Sequence, residues 1–317
     1  MRVYAVDIGA TAIKQAVVDT DQCSIVTALP VLRLPPTATV EAVRQRLFGA
    51  LIEPDALTGV DRVAIATTGA VDEAGMVVRA GGIQGYSRVQ WQTLLATWLP
   101  ELKERVHVIN DGMAATWAEY QRRGGTGNHV HFTLGSGIGG GIAIGGRLVA
   151  GPGAGPAGPG HILVDPAGTD RCSCSRRGCV ETLASGRAIR LAYQRAYSSA
   201  QATPSGRNSR TPTLLELAHL AQRGNPLARR VFEDAGHYLG VATASLINVL
   251  NPETITVGGG LALAAVTASG GSGGYLAAAQ QAMREHAVPR LADAHLELAA
   301  YGSDAELIGA ALLATGL

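Results

Sequence analysis

Three cysteines crowd into eight residues of this chain, Cys172, Cys174 and Cys179, while the fourth, Cys23, stands far from them. A pair two residues apart would strain as a disulfide, and the spacing is no disulfide framework, so metal is the better first reading. Two other places carry groups able to do chemistry. Asp7-Ile8-Gly9-Ala10-Thr11 sets a carboxylate, a glycine and a hydroxyl in one turn between the strand-like runs Val3–Val6 and Lys14–Asp19. Gly135-Ser136-Gly137-Ile138-Gly139-Gly140-Gly141 sits likewise between His129–Leu134 and Ile142–Leu148. Successive amides with no side chains in the way form a concave nest for anions. The second turn satisfies G-x-G-x-x-G, but a dinucleotide site needs a helix straight after its glycines, and here a strand is predicted. Phosphate is the expected guest, and NAD is not. The Walker form, Gly-Lys followed by Ser or Thr, is absent. Together with Gly258-Gly259-Gly260, the two turns suit an ATP site in which one organises a metal and the other cradles oxygens. Read singly, each is also an ordinary tight hairpin.

Asn110-Asp111 follows the predicted strand Val106–Ile109 and opens a helix over Gly112–Arg123, which Gly124-Gly125 ends with a left-handed cap. Both residue types suit a structural turn and helix cap, and equally a catalytic carboxylate. The helix amino end favours the ionised form, which limits such a group's strength as a base. Periodicity predicts further helices over Val40–Ile52, Trp91–Leu99, Val180–Tyr197, Leu214–Gln222, Pro226–Val249, Tyr275–His286 and Ala305–Leu313. Strands are predicted over Arg62–Ala66, Thr254–Val257 and Leu296–Tyr301. Gly151–Pro166, with four prolines and five glycines, reads as a shaped loop, Ser198–Thr211 as a mobile surface loop and Ser269–Gly274 as flexible. Strands alternating with helices argue for an α/β protein with mixed sheets, and the recurring strand-turn-strand plan for two similar lobes.

The 317 residues lie at the upper edge of what one core serves, and 47% apolar with 16% charged residues describes a globular chain. Lys plus Arg at 26 nearly cancels Asp plus Glu at 25, which disfavours a nucleic-acid partner. Glycine, 41 of 317 residues, is well above the usual share of about 7%. No run reaches the roughly 18 apolar residues of a membrane span. The start of the chain shows no basic leader followed by an apolar run, so a cytoplasmic protein without a membrane partner is expected.

These motifs resemble those of the ROK family of sugar kinases, within the hexokinase, actin and Hsp70 ATPase superfamily. Asp7-Ile8-Gly9-Ala10-Thr11-Ala12-Ile13-Lys14 is similar to the family's first phosphate motif and Leu134 to Gly141 to its second. Ile109-Asn110-Asp111 resembles the segment holding the catalytic aspartate, and Gly160-His161 with Cys172-Ser173-Cys174 and Gly178-Cys179-Val180-Glu181 the zinc signature. The resemblance implies a two-lobed actin-like ATPase (ribonuclease H-like) fold with the active site in the inter-lobe cleft. It implies an N-terminal lobe over 1–112, to which helix 303–317 returns, and a larger lobe over 113–302 with a zinc-binding loop at 161–181. For ATP and Mg²⁺ it points to Asp7, Ile8, Gly9, Ala10, Thr11 and Lys14, to Gly135, Ser136, Gly137, Ile138, Gly139 and Gly140, and to Gly259 and Gly260. Asp7 would hold Mg²⁺ through water, and Thr11 would donate to phosphate. For the sugar it points to Gly69, Asn110, Asp111, His161 and Glu181, with Asp111 accepting the hydroxyl proton. His161, Cys172, Cys174 and Cys179 would bind a structural Zn²⁺, Arg171, Arg176 and Arg177 offsetting the thiolate charge. The ligands implied are a sugar and ATP, and the assembly a homodimer.

The chain departs from the family at three places. Ala10 stands where a second glycine is usual, and Gly158, three residues before His161, where many members carry a sugar-binding Glu. An asparagine that contacts sugar in the family falls near Gly82. Bacterial N-acetylmannosamine kinases of the family also depart at that glutamate, and their cysteine segment is similar to Gly178 to Arg187. The expected reaction is therefore phosphorylation of the 6-hydroxyl of N-acetylmannosamine. Glucose, N-acetylglucosamine, fructose and allose are the alternatives. Family repressors carry a helix-turn-helix before the sugar-binding body, and here two residues precede the first strand-like run, which disfavours that class. A sugar-binding protein without catalysis is a third reading, motivated by Ala10 and Gly158.

Overall fold

A computed structural model describes the chain except for residues 36, 51–56, 81, 98–99, 152–154, 157, 201–210, 269–273, 292 and 317. Strands β1 (Arg2–Ile8) and β2 (Ala12–Asp19) pair antiparallel, which sets Asp7 directly opposite Lys14. β3 (Ser24–Ala28) and β4 (Leu32–Arg33) extend β2, and after helix α1 (Val40–Ala50) strand β5 (Arg62–Thr67) adds to β1 in parallel. A small antiparallel sheet of β6 (Ala70–Val71), β7 (Met76–Arg79) and β8 (Val89–Gln90) leads into α2 (Trp91–Ala96). Beyond a 3-10 segment at Pro100–Arg105, β9 (Val106–Asn110) joins β5 in parallel and passes straight into α3 (Asp111–Arg122).

Next come β10 (Asn128–Leu134), β11 (Ile138–Ile144) and β12 (Arg147–Leu148), the last two an antiparallel pair, then the short pair β13 (Ala150–Gly151) and β14 (Gly155–Pro156). Helices α4 (Val180–Ala184), α5 (Gly186–Ala200), α6 (Leu214–Gln222) and α7 (Pro226–Leu250) follow. β15 (Thr254–Gly258), α8 (Gly260–Ala268), α9 (Tyr275–His286), β16 (His295–Leu298) and α10 (Ala305–Thr315) complete the path.

The chain forms two compact units, Met1–Thr126 with Gly140–Ala157 and Ala300–Leu317, and Gly127–Gly139 with Gly158–Ala299. The first unit thus runs past the expected boundary at 112 and takes in the whole of α3. Its main sheet has the order β3-β2-β1-β5-β9. Side chains alternate across a strand, and here the two faces differ in size. Ala5, Ala64 and Ala66 join Ala114, Ala118, Ala310 and Ala311 in one core, whereas Tyr4, Val6, Val63 and Ile65 join Leu47, Phe48, Tyr86 and Trp91 in the other. The small face lets α3 and α10 lie close: a β-carbon at Gly309 would overlap the carbonyl of Ala114. The second unit is built on parallel strands, β10 with β15 and β15 with β16, whose Val130, Phe132, Ile255 and Val257 are buried. Asn225 caps α7 by accepting from Ala228 N, and Thr213 with Glu216 forms a capping box at α6.

Several sequence expectations are corrected. The helix predicted over Val180–Tyr197 breaks at Ser185, whose backbone is extended and whose hydroxyl accepts from Ala188 N at the start of α5. Ile138 to Gly141, read as part of a turn, are strand residues of β11, so the second turn is only Gly135-Ser136-Gly137. Gly260 opens α8, a helix that the glycine run concealed. The strand predicted over Leu296–Tyr301 is His295–Leu298, and the Gly151–Pro166 stretch holds the β13–β14 pair and a 3-10 turn at Pro159–His161. The helix predicted over Trp91–Leu99 ends at Ala96, with residues 98–99 outside those described. Most of the expected loops at Ser198–Thr211 and Ser269–Gly274, and residues 51–52 of the first predicted helix, also lie outside the described residues. Among the described residues no helix is long and apolar enough to cross a membrane.

Candidate active site

In the first unit the site is built where β1, β2, β9 and α10 end or begin. Asn110 closes β9 in extended conformation and caps α3: its Oδ1 accepts from Met113 N at 3.1 Å, while its Nδ2 donates to Gly69 O and to Asp111 Oδ1, each at 2.9 Å. Asp111 Oδ1 also accepts from Gly112 N at 2.8 Å. One asparagine therefore carries three of the expected sugar-site residues, Gly69, Asn110 and Asp111, in a single hydrogen-bonded group. Burial, then the neighbouring charge of Asp7, push the Asp111 carboxyl up to about 7, against the pull of Gly112 N. This corrects the expectation that the helix start keeps it a weak base. Desolvation of the carboxylate outweighs one helix-start amide.

Asp7, near the end of β1, is buried and lies 3.1 Å from Lys14 Nζ. Burial raises its carboxyl, and Lys14 works in the opposite sense. Lys14 also donates to Ser303 O at 2.8 Å and approaches Glu306 Oε2 at 3.4 Å. Burial would lower the lysine, but the charges of Asp7 and Glu306 raise it overall. Glu306, which the sequence reading did not single out, is itself pushed up to about 7 by burial and then by Asp7. The only sequence signal was an acid in the first turn of the last helix, an ordinary choice for any helix. In the turn after Ile8, Gly9 N donates to Ala12 O at 3.0 Å, and Ala10 and Thr11 are exposed. A β-carbon on Gly82 would come 2.9 Å from that of Ala10, so these two departures face each other. Tyr86 forms a chain that sequence reasoning also missed, meeting Thr67 Oγ1 at 2.6 Å and accepting from Trp91 Nε1 at 2.9 Å. Asp111 and Asp7 both act on its charge.

In the second unit the glycine turn is held from two sides. The start of α5 donates Gly186 N to Gly135 O at 2.9 Å and Arg187 N to Ser136 O at 3.3 Å. Glu181, in the first turn of α4, accepts from Ile138 N at 3.1 Å. A β-carbon at Gly137 would sit 2.6 Å from Glu181 Oε2, so a side chain there would displace the carboxylate from Ile138 N. The other carboxylate oxygen accepts from Ser173 Oγ at 2.7 Å and from Cys172 Sγ at 3.2 Å. Burial would raise Glu181, but these donors, Ser173 first, bring it below the usual range. Glu181, expected at the sugar, thus joins the Gly135–Gly137 turn to the cysteine loop. Gly259, after β15, lies against the backbone of Leu134 just before the turn, and Gly260 begins α8.

His161, Cys172, Cys174 and Cys179 present ligand atoms all within 4.8 Å of one another. His161 Nδ1 is 3.3 Å from Cys172 Sγ, and the sulfurs of Cys174 and Cys179 are 3.6 Å apart. Tetrahedral zinc would set two sulfurs about 3.8 Å apart, and a sulfur and an imidazole nitrogen about 3.6 Å apart. The donor set is compatible with that ion, the widest separations being somewhat larger than a tetrahedral site would have. An added β-carbon at Gly158 would fall 3.0 Å from His161 Cδ2, so the missing side chain leaves the exposed imidazole uncrowded.

The sequence pattern of the ROK family matches residues 3–316. The chain belongs to the ROK family. N-acetylmannosamine kinase of Escherichia coli O157:H7 is a ROK-like relative with 34% identity over 322 aligned positions, covering 100% of this chain and 99% of the relative. The ROK family glucokinase from Streptomyces griseus, solved with glucose and AMPPNP, has 30% identity, full coverage of both chains and a TM-score of 0.80. A ROK family transcriptional regulator homologous to the Escherichia coli MLC protein has 26% identity and a TM-score of 0.79, over 99% of this chain and 78% of the regulator. The fold is the actin-like ATPase fold of the ROK sugar kinases.

Proposed function

We propose that this ROK protein is an ATP-dependent kinase that transfers the γ-phosphoryl group of ATP to the 6-hydroxyl of N-acetylmannosamine, releasing ADP. The reading is carried by Asp111. It is a half-buried carboxyl that desolvation pushes up to about 7, aimed by Asn110 and Gly112 N at the start of a helix. Phosphoryl transfer needs positioning and charge stabilisation more than covalent help, and a base is most effective when its acid constant lies near the working pH. Asp111 accepts the proton of the sugar hydroxyl as that oxygen bonds to the γ-phosphorus and the bond to the ADP oxygen breaks. Asn110 fixes the carboxylate. Ala10, Thr11 and the Gly135–Gly137 turn offer donors to phosphate oxygens, with Gly259 and Gly260 also on the nucleotide. Asp7 would hold Mg²⁺, since the linked group of Asp7, Lys14 and Glu306, with two carboxylates to one ammonium, suits a hard divalent cation. That cation supplies charge neutralisation at the phosphates.

His161 would use Nδ1 for zinc, which leaves Nε2 for a sugar hydroxyl. Zinc supplies folding energy to a loop with few apolar residues. The choice of N-acetylmannosamine is supported by the full-length relative and by Gly158, whose bare position leaves room for a 2-acetamido group beside His161. The S. griseus likeness favours glucose as the second reading. A coupled ADP-release screen over N-acetylmannosamine, glucose, N-acetylglucosamine, fructose and allose separates them. The highest kcat/KM is expected for N-acetylmannosamine, and a clear preference for glucose would reassign the substrate. A cytoplasmic homodimer is the setting proposed, and light scattering on the purified protein tests the dimer.

A further inference from the structure

Lys14 raises a difficulty for the reaction just proposed. Its ammonium lies 3.1 Å from Asp7 Oδ2. Alone in that place, a lysine would cancel the carboxylate that has to attract a divalent cation. The last helix supplies a counterweight. Glu306 Oε2 lies 3.4 Å from the same Nζ, and Ser303 O accepts from it at 2.8 Å. An ammonium has three donors and no acceptor, so these contacts match its whole capacity and Lys14 is held by the protein instead of reaching for phosphate. With Glu306 ionised the group keeps one net negative charge, whereas Asp7 and Lys14 alone form a neutral pair. Glu306 is well shielded, its side chain only 12% exposed, so the charge acts through protein more than through water.

We propose that Glu306 is a positioning residue of the kinase reaction: by drawing Lys14 between two carboxylates, it leaves Asp7 anionic enough to hold the cation that accompanies the triphosphate. The proposal rests on the kinase reading and adds to it a residue from the far end of the chain. It also explains why Lys14 can face Asp7 without disabling it. The effect of Glu306 passes through Lys14, the cation it pairs with.

The test uses the full-length protein. Mn²⁺ binding in the presence of a non-hydrolysable ATP analogue is followed by electron paramagnetic resonance, and the Mg²⁺ concentration for half-maximal turnover is measured in parallel. Glu306→Gln is expected to weaken cation binding on the order of tenfold, the effect of removing one nearby buried charge, while Glu306→Asp keeps most of it. The double variant Glu306→Gln with Lys14→Met is expected to recover cation binding, because Asp7 is no longer neutralised. A purely structural role for Glu306 predicts instead that the second substitution adds its own loss to the first. Unchanged cation binding in Glu306→Gln, or a double variant no better than the single one, would overturn the proposal. Absence of sugar phosphorylation by the wild-type protein would remove the kinase reading instead, and the resonance titration is read without turnover.

Discussion

Asp111 works, on this account, because two opposing influences leave it near neutrality. Burial and the Asp7 charge raise its carboxyl to about 7, while Gly112 N and Asn110 Nδ2 stabilise the ionised form. Below that pH the group already holds a proton and cannot accept another, so kcat/KM should rise with pH along an acid limb centred near 7. A pH–rate profile at saturating Mg²⁺ checks this, and a flat profile from pH 6 to 8 would speak against a base with that acid constant. Asp111→Asn should lower kcat by at least about a hundredfold with little change in sugar KM. The place of Asp111 at the junction of β9 and α3 was legible in the sequence, since Asn-Asp between a strand and a helix is a recognisable pattern. Its acid constant was not, because a helix start argues for a lower value and only three-dimensional burial reverses the sign. Glu306 was equally hidden: its role depends on Lys14, which lies 292 positions away.

At the scale of elements, the second phosphate turn is shaped by what lies behind it. Glu181 links Ile138 N to Ser173, the neighbour of the ligand Cys172, and the start of α5 grips Gly135 O and Ser136 O. Removing the metal with a chelator should therefore weaken ADP binding as well as sugar binding, with ADP affinity measured by calorimetry in the absence of sugar. Retained ADP affinity in the stripped protein would separate the two regions. Glu181→Gln keeps the shape of the side chain but not its charge-assisted bonds, and should weaken ADP binding in the same direction. The hairpins and cysteine loop were readable from glycine and cysteine spacing alone. The break at Ser185 was not, because Val180 to Tyr197 keeps helical periodicity throughout. Only the docking of Gly186 on Gly135 O, a contact distant in sequence, demands that the chain restart there. The same reasoning marks Gly309, which Ala114 allows no side chain at all. Gly309→Val should destabilise the first unit by about 3 kcal/mol, seen as a lower thermal midpoint.

For the whole molecule, the alternation of strands and helices sufficed to predict an α/β fold, and motif order sufficed to predict the family. The boundaries of the two units were less legible, since Gly140–Ala157 joins the first unit only through packing. The buried carboxyls also set how stability varies with pH. Asp111 and Glu306 titrate near 7 in the folded protein, raised from ordinary values of 3.8 and 4.5. The native state therefore holds more protons than the unfolded chain across that interval. Their contribution to stability is fully present below the ordinary carboxylate range and is lost as pH rises through about 7. Thermal midpoints without Mg²⁺ should fall over that interval, and Asp111→Asn should flatten the slope. The most direct test of the central claim is phosphorus NMR of a reaction with Mg²⁺, ATP and N-acetylmannosamine. The wild-type protein is predicted to give ADP together with the sugar 6-phosphate, and Asp111→Asn to give almost none. A wild-type enzyme that leaves the sugar unmodified, or an Asn variant as fast as wild type, would contradict the account.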